Sequence, residues 1–323
     1  MRASSAGVAL TIGAFDGVHR GHQDLISRMV ADAGAKGLSA VCMTFDPDPA
    51  VVVHPEREHR SLSTPEERLE LIQALGVMQV DVEVFSPSVA ALTPSEFVDR
   101  LRTRYDLRAL WVGPDFALGR DRAGGEDQLR TLGAQHGFEV TAVEPLRHDG
   151  RPISSTWIRD ALAAGDVELA AALLGRPYSI RGIVITGMKR GRTMGFPTAN
   201  VAPPAGRALP SDGVYLVRVA GRVARSRSEG VAAGARGSIE MPDNPLPSPR
   251  FGVVNLGARP TFGEAERLLE AHVLEFSGDL YGAELDVAFL RRIRGIQRFT
   301  GIDELRDQIA RDIERARELS LSF

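Results

Sequence analysis

Apolar residues follow two different rhythms along the 323-residue chain, and the change between them comes near residue 175. In the first half, short apolar runs alternate with stretches of helical spacing. Val8, Leu10 and Ile12 read as the end of a buried strand, and Leu25, Ile26, Met29 and Val30 recur as on one face of a helix running from about Gly21. Ser39 to Phe45, Gln79 to Phe85, Ala109 to Val112 and Phe138 to Val143 read as further strands. Between them, Thr64-Pro-Glu-Glu67 and Thr93-Pro-Ser-Glu96 are capping boxes with proline at the first helical position, the first opening a helix that stops at Gly76. Gln128 to Gln135 reads as one more helix. Strands separated by helices of this length predict a Rossmann-like parallel sheet with helices on both faces and ligands at the carboxyl ends of its strands.

Ser154 or Ser155 is expected to cap a helix reaching about Ala164, and Asp166 a shorter one ending at Gly175. Arg176-Pro177 follows as a hinge. Helical spacing then disappears until residue 300, and short strands with Gly/Pro turns replace it: Ser179 to Thr186, Gly213 to Val219, Phe251 to Leu256, Leu268 to Phe276 and Glu284 to Leu290. This predicts a small antiparallel barrel or sandwich. Ile302, Leu305, Ile309, Ile313 and Ala316 form an apolar stripe on a C-terminal helix expected to pack against it. Arg222 to Pro249, rich in Gly, Ala, Ser, Arg and Pro, reads as a long surface loop between strands. The expected domains are residues 1–175 and 176–323.

Composition narrows the classes of function. Charged residues at 25% and hydrophobic ones at 43% suit a soluble globular protein. A net charge of -3 gives no electrostatic reason to expect nucleic acid as ligand. No signal peptide and no apolar run of membrane-spanning length is visible, so a cytoplasmic protein without a membrane partner is expected; nothing fixes an oligomeric state. The single cysteine, Cys42, cannot close an internal disulfide and reads as a buried strand thiol.

Two stretches carry chemistry. In Thr11-Ile-Gly-Ala-Phe-Asp-Gly-Val-His-Arg-Gly-His22 a strand is followed by a turn, for which Gly13 and Gly17 supply freedom, and then by a helix start. That arrangement is an anion cradle, because free N–H groups and the helix dipole point at one spot. His19 and His22, three apart, are placed to donate to phosphate oxygens. A zinc site is the alternative, but no third ligand stands at suitable spacing. Ser154, Ser155 and Thr156 open a helix on which Arg159 stands one turn in, a second anion-binding combination; an ordinary helix cap is the plainer reading. The other stretch is Gly187 to Asn200, where Gly187, Gly191 and Gly195 with Lys189 and Arg192 make a loop able to wrap a polyphosphate. Thr198 and Asn200 would offer two neutral oxygens to one hard cation such as magnesium, the alternative being a proline turn with capping side chains. Glu270 is a carboxylate in an otherwise apolar strand, which calls for a reason.

Together these stretches resemble the bacterial bifunctional riboflavin kinase/FAD synthetase family. Phe15-Asp-Gly-Val-His-Arg-Gly-His22 carries the H-x-G-H signature of nucleotidyltransferases, and Ile153-Ser-Ser-Thr-Trp-Ile-Arg159 matches I-S-S-T-x-I-R. Thr44 to Pro49 is similar to T-F-D-P-H-P with Asp48 in place of histidine, and Gly113 to Gly119 to G-x-D-F-x-F-G with Leu118 in place of an aromatic. Gly187 to Asn200 resembles the riboflavin kinase signature G-x-x-x-G-R-x-x-G-x-P-T-A-N. Asn255 to Phe262, Glu270-Ala-His272 and Gly278-Asp-Leu-Tyr-Gly282 are similar to N-I-G-x-R-P-T-F, E-x-H and G-D-L-Y-G. The resemblance implies an α/β nucleotidyltransferase domain followed by a Greek-key-like barrel of about six strands. It implies that riboflavin is phosphorylated to FMN and FMN adenylylated to FAD, with ATP and Mg2+. Glu270 is then the general base and Thr198 and Asn200 the magnesium ligands. His19, His22 and Arg159 stabilise charge in the other domain. Gly13, Phe15, Asp16, Gly17, Gly21, Asp115, Ser154, Ser155 and Thr156 are implied around nucleotide phosphates there, and Phe196, Asn255, Arg259 and Thr261 around flavin. The rival readings are a riboflavin kinase with an altered N-terminal half, and a non-catalytic flavin- or nucleotide-binding regulator.

Overall fold

The computed structural model describes residues 7–114, 116–186, 195–222, 246, 248–258 and 267–323. The chain divides into two compact units, Met1–Trp157 with Leu173–Gly175, and Ile158–Ala172 with Arg176–Phe323. The sequence reading divided it at residue 175; here the stretch 158–172 is counted with the later residues.

The first unit runs β1 (Val8–Ile12), α1 (Arg20–Lys36), β2 (Ser39–Asp46), α2 (Pro49–Val53), α3 (Pro65–Gln73), β3 (Gln79–Val84), α4 (Pro87–Ala90), α5 (Pro94–Arg104), β4 (Leu107–Val112), α6 (Glu126–His136) and β5 (Glu139–Ala142). A small hairpin, β6 (Arg147–His148) with β7 (Arg151–Pro152), precedes α7 (Ser155–Ala164) and α8 (Val167–Leu174). The five main strands pair in parallel in the order β3-β2-β1-β4-β5. The winding reverses between β1 and β4, so a crevice opens at their carboxyl ends.

Strand alternation sorts side chains by size onto the two faces. Leu10, Ile12, Val41, Met43, Leu110 and Val112 meet Val98 and Leu101 of α5 and Leu129 of α6 on one face. Ala9, Ala40, Cys42 and Ala109 lie on the other, where small side chains let Ile26, Met29 and Ala33 of α1 come close. Cys42 is fully buried there, and burial pushes its thiol pKa up, as an inert thiol requires. Both expected capping boxes form, with Thr64 and Thr93 each exchanging bonds with the glutamate three residues on.

The second unit is a closed six-stranded antiparallel barrel. Its strands are β8 (Tyr178–Ile185), β9 (Ala199–Ala202), β10 (Gly213–Arg222), β11 (Arg250–Ala258), β12 (Arg267–Val273) and β13 (Glu284–Arg294), in the order β10-β11-β12-β9-β8-β13. Three consecutive strands are joined side by side while β9 lies next to β12, the Greek-key relation. Tyr215, Val217, Val254, Leu256, Leu269 and Phe289, all fully buried, alternate with Val214, Leu216, Val253 and Leu290. The latter set meets Ile309, Ile313, Ala316 and Leu319 of the C-terminal helix α9 (Ile302–Ser320).

The expected stripe on α9 is only partly used. Ile302, in the first turn, is 66% exposed. In compensation the helix buries Asp312, whose carboxylate accepts Arg294 Nε at 3.0 Å, Arg294 Nη2 at 2.7 Å and Gln308 Nε2 at 2.8 Å. A buried carboxylate held this way is one whose charge is matched.

Candidate active sites

The first site is the turn between β1 and α1, and its geometry follows from where backbone strain is placed. Phe15, Gly17 and Val18 all have positive φ (50°, 75° and 41°). Only Gly17 adopts it without cost, and at a β-branched residue such as Val18 it needs support. Gly13, expected to share this freedom, is not in that region. It supplies room instead, since a Cβ there would lie 3.0–3.2 Å from the Phe15 ring.

Asp16 provides the support. Its buried carboxylate accepts from Leu62 N (2.9 Å to each oxygen), Ser63 N (3.0 Å) and Ser63 Oγ (3.1 Å), while Gly17 N donates to Ser63 Oγ at 2.9 Å. The Asp16 carbonyl accepts the Ser155 hydroxyl at 2.9 Å. One residue earlier, the Ala14 carbonyl accepts from Thr44 Oγ1 and from the buried guanidinium of Arg68, which also donates to Phe45 O. The Asp16 carboxylate and the Ser155 hydroxyl, both candidate phosphate contacts, tie the 62–63 loop and the start of α7 to the turn. Ser63 and Arg68 carry no signal in the sequence, because residues far away along the chain announce no such bracing.

The two histidines come together. His19 is the N-cap of α1, and its Nδ1 accepts from His22 N at 3.3 Å, which leaves the proton of the neutral ring on Nε2. The His22 ring stacks on it at 3.6 Å and 18°, and Phe15, buried, meets His22 edge-on at 5.2 Å. Gly21 keeps this stack clear, since a Cβ would stand 3.2 Å from the His19 ring. Burial of the ring, helped by His19, holds the His22 pKa well below the ordinary 6.5. His22 is therefore neutral at pH 7, with a buried Nδ1 that has no hydrogen-bond partner among the described residues. The cradle offers neutral N–H donors at a helix start.

Ser154 Oγ accepts from Trp157 N at 3.2 Å and is the cap of α7. Thr156 is exposed beside it, and Arg159 stands one turn further on, in the stretch counted with the second unit. Asp115 lies outside the described residues. The two departures from the family pattern find local uses: Leu118 is buried in the core and bridges to Gly124, and Asp48 Oδ1 caps α2 by accepting Ala50 N at 2.8 Å.

The second site is a row across the barrel wall. Antiparallel register sets Asn255 of β11 opposite Glu270 of β12, and Glu270 opposite Asn200 of β9. Asn255 Nδ2 donates to Glu270 Oε2 at 3.4 Å. Leu269 and Ala271, which flank Glu270, are buried on the opposite side of the strand, whereas Leu268 and His272 share the carboxylate's side. Asn200 is 5% exposed. Gly195, at φ 87°, turns the chain into this region, and Phe196 packs against the cluster beneath α9. Thr198 lines a cavity of about 500 Å³ together with Pro197, Ala199, Phe276 and the 278–281 turn. That turn is held by Asp279 Oδ1, which accepts Tyr281 N at 3.0 Å. Gly187, Lys189, Gly191, Arg192, Arg259 and Thr261, and the 223–245 part of the expected loop, lie outside the described residues.

Comparison with known proteins also finds two parts. A profile of the FAD synthetase family matches residues 1–157, and one of the riboflavin kinase family residues 174–320. A bifunctional riboflavin kinase/FMN adenylyltransferase of Escherichia coli K12 is 37% identical over 318 residues, covering 98% of this chain and 94% of the relative. One from Bacillus subtilis is 36% identical, with coverages of 95% and 90%. A crystal structure described as a macrolide-efflux protein from Streptococcus pneumoniae shares the fold at TM-score 0.83 and 30% identity, over 98% of this chain and 95% of that one. Among the described residues of this chain no helix is long and apolar enough to cross a membrane.

Proposed function

The chain belongs to the bifunctional riboflavin kinase/FMN adenylyltransferase family, a two-activity enzyme that makes FMN from riboflavin and FAD from FMN, and we propose that each activity has its own site in one of the two units described above. The observation that carries the kinase assignment is the Asn255–Glu270–Asn200 row beside a cavity lined by Thr198.

In the barrel, the 5′-hydroxyl of the ribityl chain attacks the γ-phosphorus of ATP. A primary alcohol is a weak nucleophile, and Glu270 takes its proton as the bond forms. Asn255, bonded to one carboxylate oxygen, holds Glu270 in place. Thr198 and Asn200 are the candidate ligands of Mg2+: their side-chain oxygens are hard and neutral, and Asn200 is kept from water beside a carboxylate, a donor set that suits this ion. Bound there with ATP, the ion would neutralise phosphate charge during transfer. The ADP product leaves through the cavity next to the 278–281 turn.

In the α/β unit the phosphate of FMN is already an anionic nucleophile. It attacks the α-phosphorus of a second ATP and expels pyrophosphate, so no base is needed. The work left is alignment and charge stabilisation. His19 and His22 supply it as neutral donors, with the first N–H groups of α1. The braced turn keeps these donors fixed before substrate arrives. Both steps draw on ATP, which fits work in the cytoplasm. Incubation with riboflavin and Mg-ATP, followed by chromatography resolving riboflavin, FMN and FAD, tests the whole reading. FMN without FAD would remove the second assignment, and neither product would remove both.

A further inference from the structure

Two residues past Glu270, on the same side of β12, His272 makes a contact that the mechanism above leaves unused. Its Nδ1 lies 2.8 Å from the carbonyl oxygen of Pro197. A carbonyl only accepts, so the imidazole carries its proton on Nδ1 and donates. The same ring meets Phe196 edge-on at 6.1 Å, and Phe196 is seated against the apolar cluster beneath α9. The segment 196–197 is therefore gripped by a polar and an apolar contact just before Thr198. Ladder pairing of β9 with β12 begins only at Ala199, opposite Ala271. Thr198 thus sits between a strand that fixes its carbonyl side and a histidine that fixes its amide side.

We propose that His272 is a positioning residue of the kinase site, which sets Thr198 for Mg-nucleotide by holding the Pro197 carbonyl. The inference rests on the reading of Thr198 as a ligand of the nucleotide-bound ion. His272 touches neither the transferring phosphoryl group nor the ribityl hydroxyl. Its effect is expected in the affinity for Mg-nucleotide rather than in the proton transfer that Glu270 performs.

Asparagine and leucine separate the hydrogen bond from the shape. In His272→Asn the amide nitrogen takes the place of Nδ1 and can still donate to Pro197, whereas His272→Leu has nearly the same outline and no donor. Both lose the ring contact with Phe196 equally. Titration calorimetry of the full-length protein with Mg-ADP reads the difference without turnover. His272→Leu is expected to bind Mg-ADP about three- to tenfold more weakly than His272→Asn, the range for one hydrogen bond. KM for Mg-ATP should rise alongside, while riboflavin affinity and adenylylation of supplied FMN stay within about twofold. Equal Mg-ADP affinities in the two variants overturn the proposal, as does a loss confined to kcat. Thr198→Ala is the control for the underlying reading. If it leaves Mg-ADP binding unchanged, the ligand assignment of Thr198 fails; if it weakens binding while the two His272 variants agree, only the positioning role fails.

Discussion

Replacing Asp16 by asparagine should unfasten the turn that presents His19 and His22 without touching the barrel. In the native protein Oδ1 accepts from Leu62 N, Ser63 N and Ser63 Oγ, and Oδ2 from Leu62 N again, all between 2.9 and 3.1 Å and all buried. An asparagine whose oxygen takes the place of Oδ1 keeps three contacts but loses their charge assistance. Its amide group then faces the Leu62 N–H, a donor against a donor. Losing the charge and gaining one poorly satisfied buried donor costs about 2–3 kcal/mol together. The chain's two tryptophans, Trp111 and Trp157, both lie in the first unit, so their fluorescence follows unfolding of that unit alone. With a urea slope of about 2 kcal/mol per molar, the midpoint should fall by roughly 1–1.5 M. FAD formation from supplied FMN should drop with it, and FMN formation should not. A midpoint within about 0.3 M of wild type would refute the claim that Asp16 is the fastening, and an equal loss of both activities would show that the damage is not local.

The other expectations are more direct. His22→Ala should lower FAD formation by about a hundredfold or more, the usual loss for one preorganised donor, with FMN formation intact in a paired assay. Because the His22 pKa is depressed in the folded unit, the unfolded chain takes up its proton first. Stability of that unit should decline as pH falls below about 6.5, and His22→Phe should flatten that part of the tryptophan-monitored curve. Glu270→Gln should cut FMN formation by at least about a hundredfold in single-turnover kinetics while riboflavin still binds; near-normal turnover would demote Glu270 to a structural residue. A fragment beginning at Ile158 should fold and make FMN more robustly than one beginning at Arg176. Within the second unit Ser211 N donates to Leu162 O, Arg292 to Ala164 O and Arg291 to Glu168, and the shorter fragment lacks all three acceptors. Equal thermal midpoints for the two fragments would count against this.

Much of the first unit was legible because its signals are local. Capping boxes at Thr64 and Thr93, the 3.6-residue spacing of α1 and the apolar runs of β1, β2 and β4 each need only neighbouring residues to be read. What stayed hidden depends on partners distant in sequence. In β3 the alternation marks a strand but not which side is covered. Val82 and Val84 are the exposed residues, at 41% and 69%, while Asp81 and Glu83 are buried. The acids are matched by Tyr105, Arg100 and Arg104 from α5 and the residue after it. The strand β9 is only four residues long and follows a proline, so its pattern is too short to register, yet it carries Asn200. Helix α2, Pro-Ala-Val-Val-Val, has a composition that favours strand; the Asp48 cap and proline at the first position override it. At the sites, the motifs marked candidate residues, and the structure adds the contacts that hold them. Asp16 and Ser155 hold distant segments to the turn, and Asn255 and His272 stand beside Glu270, relations that the motifs do not spell out.

The barrel register has a consequence for how errors are handled. Asn200, Asn255 and Glu270 come from three strands and meet only because β9, β12 and β11 are aligned residue for residue. Sliding β12 by one position would turn Glu270 inward and bring Leu269 or Ala271 to the side where Glu270 now stands. On the proposed mechanism there is thus no half-active misfold: a chain that closes its barrel out of step buries a charge and loses the proposed base in the same event. Turnover of riboflavin is in this sense a readout of correct strand alignment. A strand-slipped form should also be the less stable one, so on the proposed roles flavin chemistry and barrel closure depend on the same row of three residues.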